Sequence, residues 1–300
     1  MNFVHRLLGT LAFGRESLTP ADHVRTLTID GRERSYLIHL PSNLDPNKPA
    51  PVVLLLHGAG ASGSLMVPFT GMKKKADEAG FIAVYPNSSG IGPFLAFNAG
   101  DFVGKLAGSA DDVKFVDRLF DDLRTVVNID PKRIFAAGMS NGGSMCYRLA
   151  AELSDRIAAI AAVAGTMAIA EASPHRPVSV LHFHGSEDRV VPFNGHRRRA
   201  GRLLKYRSVK ETIRIWCEIN GCPSTPQVTE FPWTDGARTV VHQMVYGPGK
   251  EGSEVVLIVV EGGGHTWPGQ RPPIPFIGRS TLDVSANDLM WEFFQRHPMP

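Results

Sequence analysis

The feature that most constrains this chain is a series of apolar runs that show no polar alternation. Six stand out: VVLLLH (52–57), FIAVYP (81–86), RIFAAG (133–138), IAAIAAVAG (157–165), VSVLHFHG (178–185) and EVVLIVVEG (254–262). A strand that is apolar on both faces must be covered on both, which happens in a parallel sheet with helices on either side. Two earlier runs, VRTLTI (24–29) and SYLIHL (35–40), alternate instead and read as leading antiparallel strands. Helical patterns fall between the runs. In 111–127, Val113, Val116, Phe120, Leu123 and Val127 step by three and four onto one face, with Ser109 and Asp112 as an expected capping box. A last helix over about 284–296 carries Leu289, Met290, Phe293 and Phe294 toward the core. Strand and helix in alternation mean an α/β fold.

Composition narrows the function classes. With 300 residues, 43% apolar and 20% charged, the chain can build one large core. Residues 1–22 read as an N-terminal extension and 23–300 as a single domain. The net charge of +3 is small and scattered, so nucleic acid is not an expected partner. The densest basic run, GHRRRAGR (195–202), reads as a solvated face. No apolar stretch approaches the ~20 residues that cross a bilayer, so membrane insertion is not expected. The start, MNFVHRLLGTLAFG, is broken by His5 and Arg6 and makes a poor signal peptide. Cys146, Cys217 and Cys222 have no metal spacing, and free thiols are favoured over a Cys217–Cys222 bridge. No metal or cofactor is expected.

The chemistry begins at RIFAAGMSNGGSMCYRLAAEL, which reads strand, sharp turn, helix. Gly138-Met139-Ser140-Asn141-Gly142 is G-x-S-x-G in the context that motif needs. A serine on such a turn is strained, with its hydroxyl exposed at the strand's carboxyl end. The flanking glycines remove side chains that would collide with the neighbouring strand and helix. The following helix aims free N–H groups at the site, and the amide of Asn141 becomes one oxyanion donor. Ser144, on the same helix, reads as a small packing residue.

A serine needs a base, and the base needs an orienting carboxylate. In chain order, Asp188 follows the strand VSVLHFHG, with Glu187 beside it as the competitor, and His265 follows EVVLIVVEGGG. All three candidates fall at one edge of the inferred sheet, where such sheets carry their sites. The glycine run 262–264 lets His265 turn off its strand. His182 and His184 read as structural. The loop His57-Gly58-Ala59-Gly60 is placed to supply the second oxyanion donor, from Ala59, with His57 supporting the loop.

Taken together, LLLHGAGAS, DDVKFVDRLFDDL, IDPKRIFAAGMSNGGSMCYRLAAE, AAIAAVAG, HFHGSEDRVVPFNG, GGGHTWPG and ANDLMWEFFQRHP resemble the secreted polyhydroxybutyrate-depolymerase and feruloyl-esterase-like branch of the α/β-hydrolases. The resemblance runs from about residue 30 to the end. It implies an α/β-hydrolase fold, a serine esterase acting through an acyl-enzyme, and Ser140, Asp188 and His265 as nucleophile, acid and base. It also implies that Trp267 lines the substrate cleft, and it suggests an extracellular or periplasmic protein, with a cytoplasmic one left open by the poor signal peptide. Where many relatives have a tryptophan-asparagine stretch and then adjacent cysteines, this chain has Phe97-Asn98-Ala99-Gly100 and then Phe102-Val103. The disulfide that might tie that loop is therefore absent, which bears on secretion and on the cleft.

The expected partner is an ester, polymeric or carrying an aromatic acyl group. Phe69, Phe94, Phe97 and Trp267 fall in inferred loops near the sheet edge, as subsite aromatics or as ordinary loop packing. Two rivals remain at this level. An oligopeptidase-like peptidase shares the triad order, but one compact domain leaves no room for a propeller. A catalytically dead binding module is disfavoured by the intact serine, aspartate and histidine.

Overall fold

The computed structural model describes residues 18–90, 95–100, 110–195, 206–234 and 236–300. The Phe94, Phe102-Val103 and Ser109 readings, the run 196–202 and residues 1–17 of the N-terminal extension lie outside them. Among the described residues the strands form one ten-stranded sheet in the order β1-β2-β4-β3-β5-β6-β7-β10-β9-β8. They are β1 (Asp22–Ile29), β2 (Arg32–His39), β3 (Ala50–Leu56), β4 (Ile82–Pro86), β5 (Ile129–Met139), β6 (Ala159–Val163), β7 (Ser179–Gly185), β8 (Gln227–Glu230), β9 (Val240–Tyr246) and β10 (Val255–Glu261). The six apolar runs are the six central strands, and all five pairings among them are parallel.

The leading hairpin pairs β1 with β2 in register Ile29↔Arg32, closed by Asp30 and Gly31, both at positive φ (49° and 75°). That Asp-Gly pair suits a two-residue turn, whose twist matches that of the strands. The far edge, β9 and β8, has no counterpart in the apolar runs. Both pair antiparallel. β8 (QVTE) is exposed throughout, and most of β9 is half-buried. With little apolar burial to enforce a pattern, neither strand leaves a periodic signal.

Alternate residues of one strand feed two separate cores. Val52, Leu54 and Leu56 belong to one cluster, Val53 and Leu55 to the other. The first face is covered by α3 (Asp112–Val126), α4 (Asn141–Glu152) and α5 (Val209–Asn220) through Phe115, Tyr147 and Trp216. The second is covered by α1 (Gly63–Thr70), α2 (Met72–Ala79) and α6 (Ala286–Arg296) through Met66, Met72 and Phe294. The N-cap of α3 is Asp111, which accepts the Lys114 amide at 2.9 Å. An aspartate one residue before the helix satisfies an orphan amide and complements the helix dipole. Cys146, Cys217 and Cys222 are all free thiols.

Three buried imidazoles make the fold sensitive to acid. Burial pushes His57, His182 and His184 below the ordinary histidine range, and in His182 the neighbouring His184 adds to the effect. In the unfolded chain each takes a proton near ~6.5. The folded-state values are depressed, so below that pH the unfolded state binds protons that the folded state refuses. Stability is therefore full above about pH 6.5 and falls on acidification, by up to about 1.4 kcal/mol per histidine per pH unit. Urea unfolding at pH 7.5, 6.5 and 5.5 is expected to show a falling midpoint. A midpoint that holds or rises would show that these imidazoles are not kept neutral.

Candidate active site

Ser140 closes β5 and opens α4. Its φ of 56° and ψ of −119° lie where non-glycine residues are strained. The turn persists because its surroundings fix it: the Ser140 amide donates to the Val163 carbonyl at 2.8 Å, and the Ser144 amide to the Ser140 carbonyl at 2.9 Å. Gly142 then runs against β3, and a Cβ there would sit 2.1 Å from the Leu56 carbonyl oxygen. Only glycine allows the helix to start so close to the strand. The first amides of α4, that of Asn141 among them, have no acceptor within the helix.

Asp188 lies in the loop after β7 with its side chain fully buried. Its Oδ1 accepts the amides of Val190 (2.8 Å) and Val191 (2.9 Å), and its Oδ2 accepts His265 Nδ1 at 2.7 Å. Glu187, the competitor, points outward and pairs with Arg279 at 3.7 Å. His265 is reached from β10 through the glycine turn. Its amide donates to the Ile277 carbonyl at 2.6 Å, and the Gly264 amide to that of Arg279 at 2.8 Å. A Cβ on Gly264 would lie 2.3 Å from the Ile277 carbonyl, so the close pairing of these two segments requires glycine. The 262–264 run thus fixes His265 against the 277–279 segment rather than merely freeing it.

Ser140, Asn141, Ala59 and His265 line one cavity of about 700 Å³. They come from the carboxyl ends of β3, β5 and β10, with Asp188 behind His265 from β7. The walls are largely apolar: Leu65, Met66 and Phe69 from α1, Val190 from the loop that carries Asp188 (the acid loop), and Ile274 and Ile277 from a proline-rich stretch, PGQRPPIPFIG (268–278). Among the described residues, Phe69 is the one sequence-named aromatic that lines the cavity. The aliphatic residues carry no motif, and only their approach from three separate segments marks them.

Two expected cleft residues are core residues instead. Trp267 is 1% exposed, packs in the second core with Val284 and Met290, and donates its indole N–H to Asn287 Oδ1 at 2.9 Å. Asn287 in turn donates to the Thr70 carbonyl at 2.8 Å, so Trp267 pins the His265 loop to α6 and α1. A buried indole needs a partner for its N–H, and Asn287 supplies it. Phe97 is fully buried, its ring centroid 4.8 Å from that of His57. Its backbone is clamped by the Asn141 side chain, which accepts from the Phe97 amide at 2.7 Å and donates to its carbonyl at 3.0 Å.

His57 supports the first loop through both nitrogens. Nε2 accepts the Ser88 amide at 3.0 Å, which leaves Nδ1 to donate to the Gly58 carbonyl at 2.7 Å. A buried network behind this loop is invisible in the sequence. Arg34 reaches Asp112 at 2.5 Å, stacks over Phe115 at 4.1 Å, and Asp112 accepts the Asn98 amide at 2.6 Å. Its members are far apart in the chain, and no short motif joins them.

Among the described residues no group of histidine, cysteine or acidic side chains could hold a metal ion, and no helix is long and apolar enough to cross a membrane. A family model described as Phospholipase/Carboxylesterase matches residues 109–215, from α3 past Asp188. NocK of Nocardia uniformis subsp. tsuyamanensis, which carries an esterase name, is 30% identical over 289 residues, covering 90% of this chain and 81% of that protein. The chain belongs to the α/β-hydrolase serine esterases. Feruloyl esterase B of Piromyces equi is 30% identical over 77% of this chain, which spans 42% of that longer protein. Among solved structures, the acetyl xylan esterase from Aspergillus awamori superposes with a TM-score of 0.63 over 91% of this chain and 99% of its own, at 16% identity. The esterase relatives favour ester hydrolysis over the peptidase and dead-module readings.

Proposed function

We propose that this esterase hydrolyses carboxylic esters of aromatic or extended apolar acids, with Ser140 as nucleophile, His265 as base and Asp188 as its orienting acid. The observation that carries the reading is the 2.7 Å contact of His265 Nδ1 with Asp188 Oδ2 beside Ser140 in one cavity. An ionised carboxylate only accepts, so Nδ1 carries the proton and Nε2 is left with a lone pair. That is the tautomer a base needs. Nε2 takes the Ser140 proton as Oγ attacks the ester carbonyl, then returns it to the departing alcohol, leaving an acyl-enzyme that water resolves by the same route. The amides of Asn141 and Ala59 receive the oxyanion, each donor supporting the transition state by about 3 kcal/mol.

The substrate class follows from the walls. A cavity of about 700 Å³ lies within the range of small-molecule sites, and an acetyl group would leave most of its apolar lining unused. A cinnamoyl or butyryl group covers more of Leu65, Phe69 and Ile277. The feruloyl esterase among the relatives agrees with an aromatic acyl group. Purified protein is expected to hydrolyse methyl ferulate and 4-nitrophenyl butyrate with a higher kcat/KM than 4-nitrophenyl acetate, and acetylated xylan and polyhydroxybutyrate poorly. A preference for acetyl esters would overturn the acyl-pocket assignment and leave an acetylesterase.

A further inference from the structure

Behind Asp188 runs a chain of buried polar groups that the catalytic proposal does not use. Tyr147 Oη lies 2.7 Å from His182 Nδ1, His182 Nε2 lies 3.0 Å from His184 Nδ1, and His184 Nε2 lies 2.8 Å from the Val191 carbonyl. The two imidazoles stack at 5.2 Å with planes 2° apart. Tyr147, His182 and His184 are all fully buried, in the layer between β7 and α4.

The far end fixes the direction of every bond. A carbonyl only accepts, so His184 Nε2 must carry its proton and donate to Val191. Both histidines are held neutral by burial, so His184 Nδ1 is an acceptor and His182 Nε2 must donate to it. His182 Nδ1 is then an acceptor as well, and the Tyr147 hydroxyl donates. The chain has one polarity, from α4 to the acid loop.

At the end of that chain, His184 Nε2 also faces Asp188 Oδ2 at 3.5 Å, the oxygen that holds His265. The Val191 carbonyl that it grips belongs to the residue whose amide donates to Asp188 Oδ1. We infer that His184 is a positioning residue for the ester hydrolysis, its Nε2–H fixing the Val191 backbone and the Asp188 carboxylate that orient His265. The inference rests on the reading of Ser140, His265 and Asp188 as the reacting set. The titratable groups that face His184 are His182 from β7, Asp188 from the acid loop and His265 from the loop after β10, and the Phe193 ring closes its remaining edge.

Two half-mimics separate this role from simple core packing. In His184→Gln the side-chain amide nitrogen stands near the position of Nε2 and still reaches Val191. In His184→Asn the side chain meets His182 but falls short of Val191 and Asp188. Asparagine is expected to lower kcat/KM for 4-nitrophenyl butyrate by about 10- to 100-fold, as misplacement of a reacting group does, whereas glutamine stays within about 3-fold of wild type. The pH profile carries the sign. Without the Nε2–H that holds Val191, the Val191 amide is no longer fixed on Asp188 Oδ1, and the less satisfied carboxylate holds a protonated His265 more tightly. The acid limb of kcat/KM in His184→Asn therefore moves to higher pH, by about 0.3–0.5 unit, while that of glutamine does not. Equal activities and unmoved limbs in the two variants would overturn the proposal.

Should His184→Asn fail to fold, nitrogen NMR of the wild-type imidazoles decides instead. His182 and His184 are expected as neutral Nε2–H tautomers at a pH where a free histidine is already half protonated, because burial holds both below the ordinary range. An Nδ1–H or protonated His184 would sink the proposal. Failure of the catalytic reading itself shows separately, as activity that survives loss of the Ser140 hydroxyl.

Discussion

Replacement of Ser140 by alanine is expected to cut turnover of 4-nitrophenyl butyrate by about 10⁴-fold or more while leaving the fold in place. The hydroxyl is the only atom removed. Ser140 makes no side-chain capping bond at the start of α4, and alanine keeps the Cβ, so the strained turn is neither relieved nor worsened. Its backbone partners, Val163 and Ser144, are unaffected. The residual rate reports what the candidate oxyanion donors of Asn141 and Ala59 achieve without a nucleophile. Initial rates and urea unfolding on the same preparation check both halves. A loss of activity that tracked a loss of folded protein would leave the nucleophile unassigned, and retained activity would remove Ser140 from the mechanism.

Substitution of Gly142 by alanine is expected to be the most damaging glycine-to-alanine change among the described residues. The added Cβ would lie 2.1 Å from the Leu56 carbonyl oxygen, 2.5 Å from its carbon and 2.7 Å from the His57 carbonyl oxygen. These are backbone atoms of β3 and its exit, at the centre of the sheet, and no rotamer change can relieve them. Either α4 moves out or β3 moves away, and both break packing that two cores share. A cost of about 3 kcal/mol or more is expected, at the upper end of overpacking. The displacement also moves the Gly58-Ala59 loop relative to Ser140, so activity per folded molecule falls too. A urea midpoint equal to that of wild type would show that β3 and α4 lie further apart than described.

The legible part of this protein is the part encoded by short-range pattern. Continuous apolar runs such as VVLLLH and VVLIVV mark strands covered on both faces, because every residue in them is buried. The sharp turn at Ser140 shows as glycines at fixed spacing, since only missing side chains let β5, α4 and β3 converge. Asp188 and His265 show as polar residues just past strand ends, and the structure joins them by a hydrogen bond. β8 and β9 leave no such trace, because an exposed edge strand and its half-buried neighbour have too little apolar burial to enforce a period.

The remaining differences concern which side of a layer a residue faces. Trp267 and Phe97 look like cleft aromatics from their place in the chain, yet both are core residues whose partners, Asn287 and Asn141, are 20 and 44 positions away. The His184 chain likewise depends on Tyr147, 35 positions from His182. By itself the sequence determines the parallel sheet, the chain order of serine, aspartate and histidine, and the edge on which they meet. Those follow from local periodicity and turn chemistry. Only the tertiary structure decides what lines the cavity and what stands behind Asp188, because both are set by contacts between segments far apart in the chain.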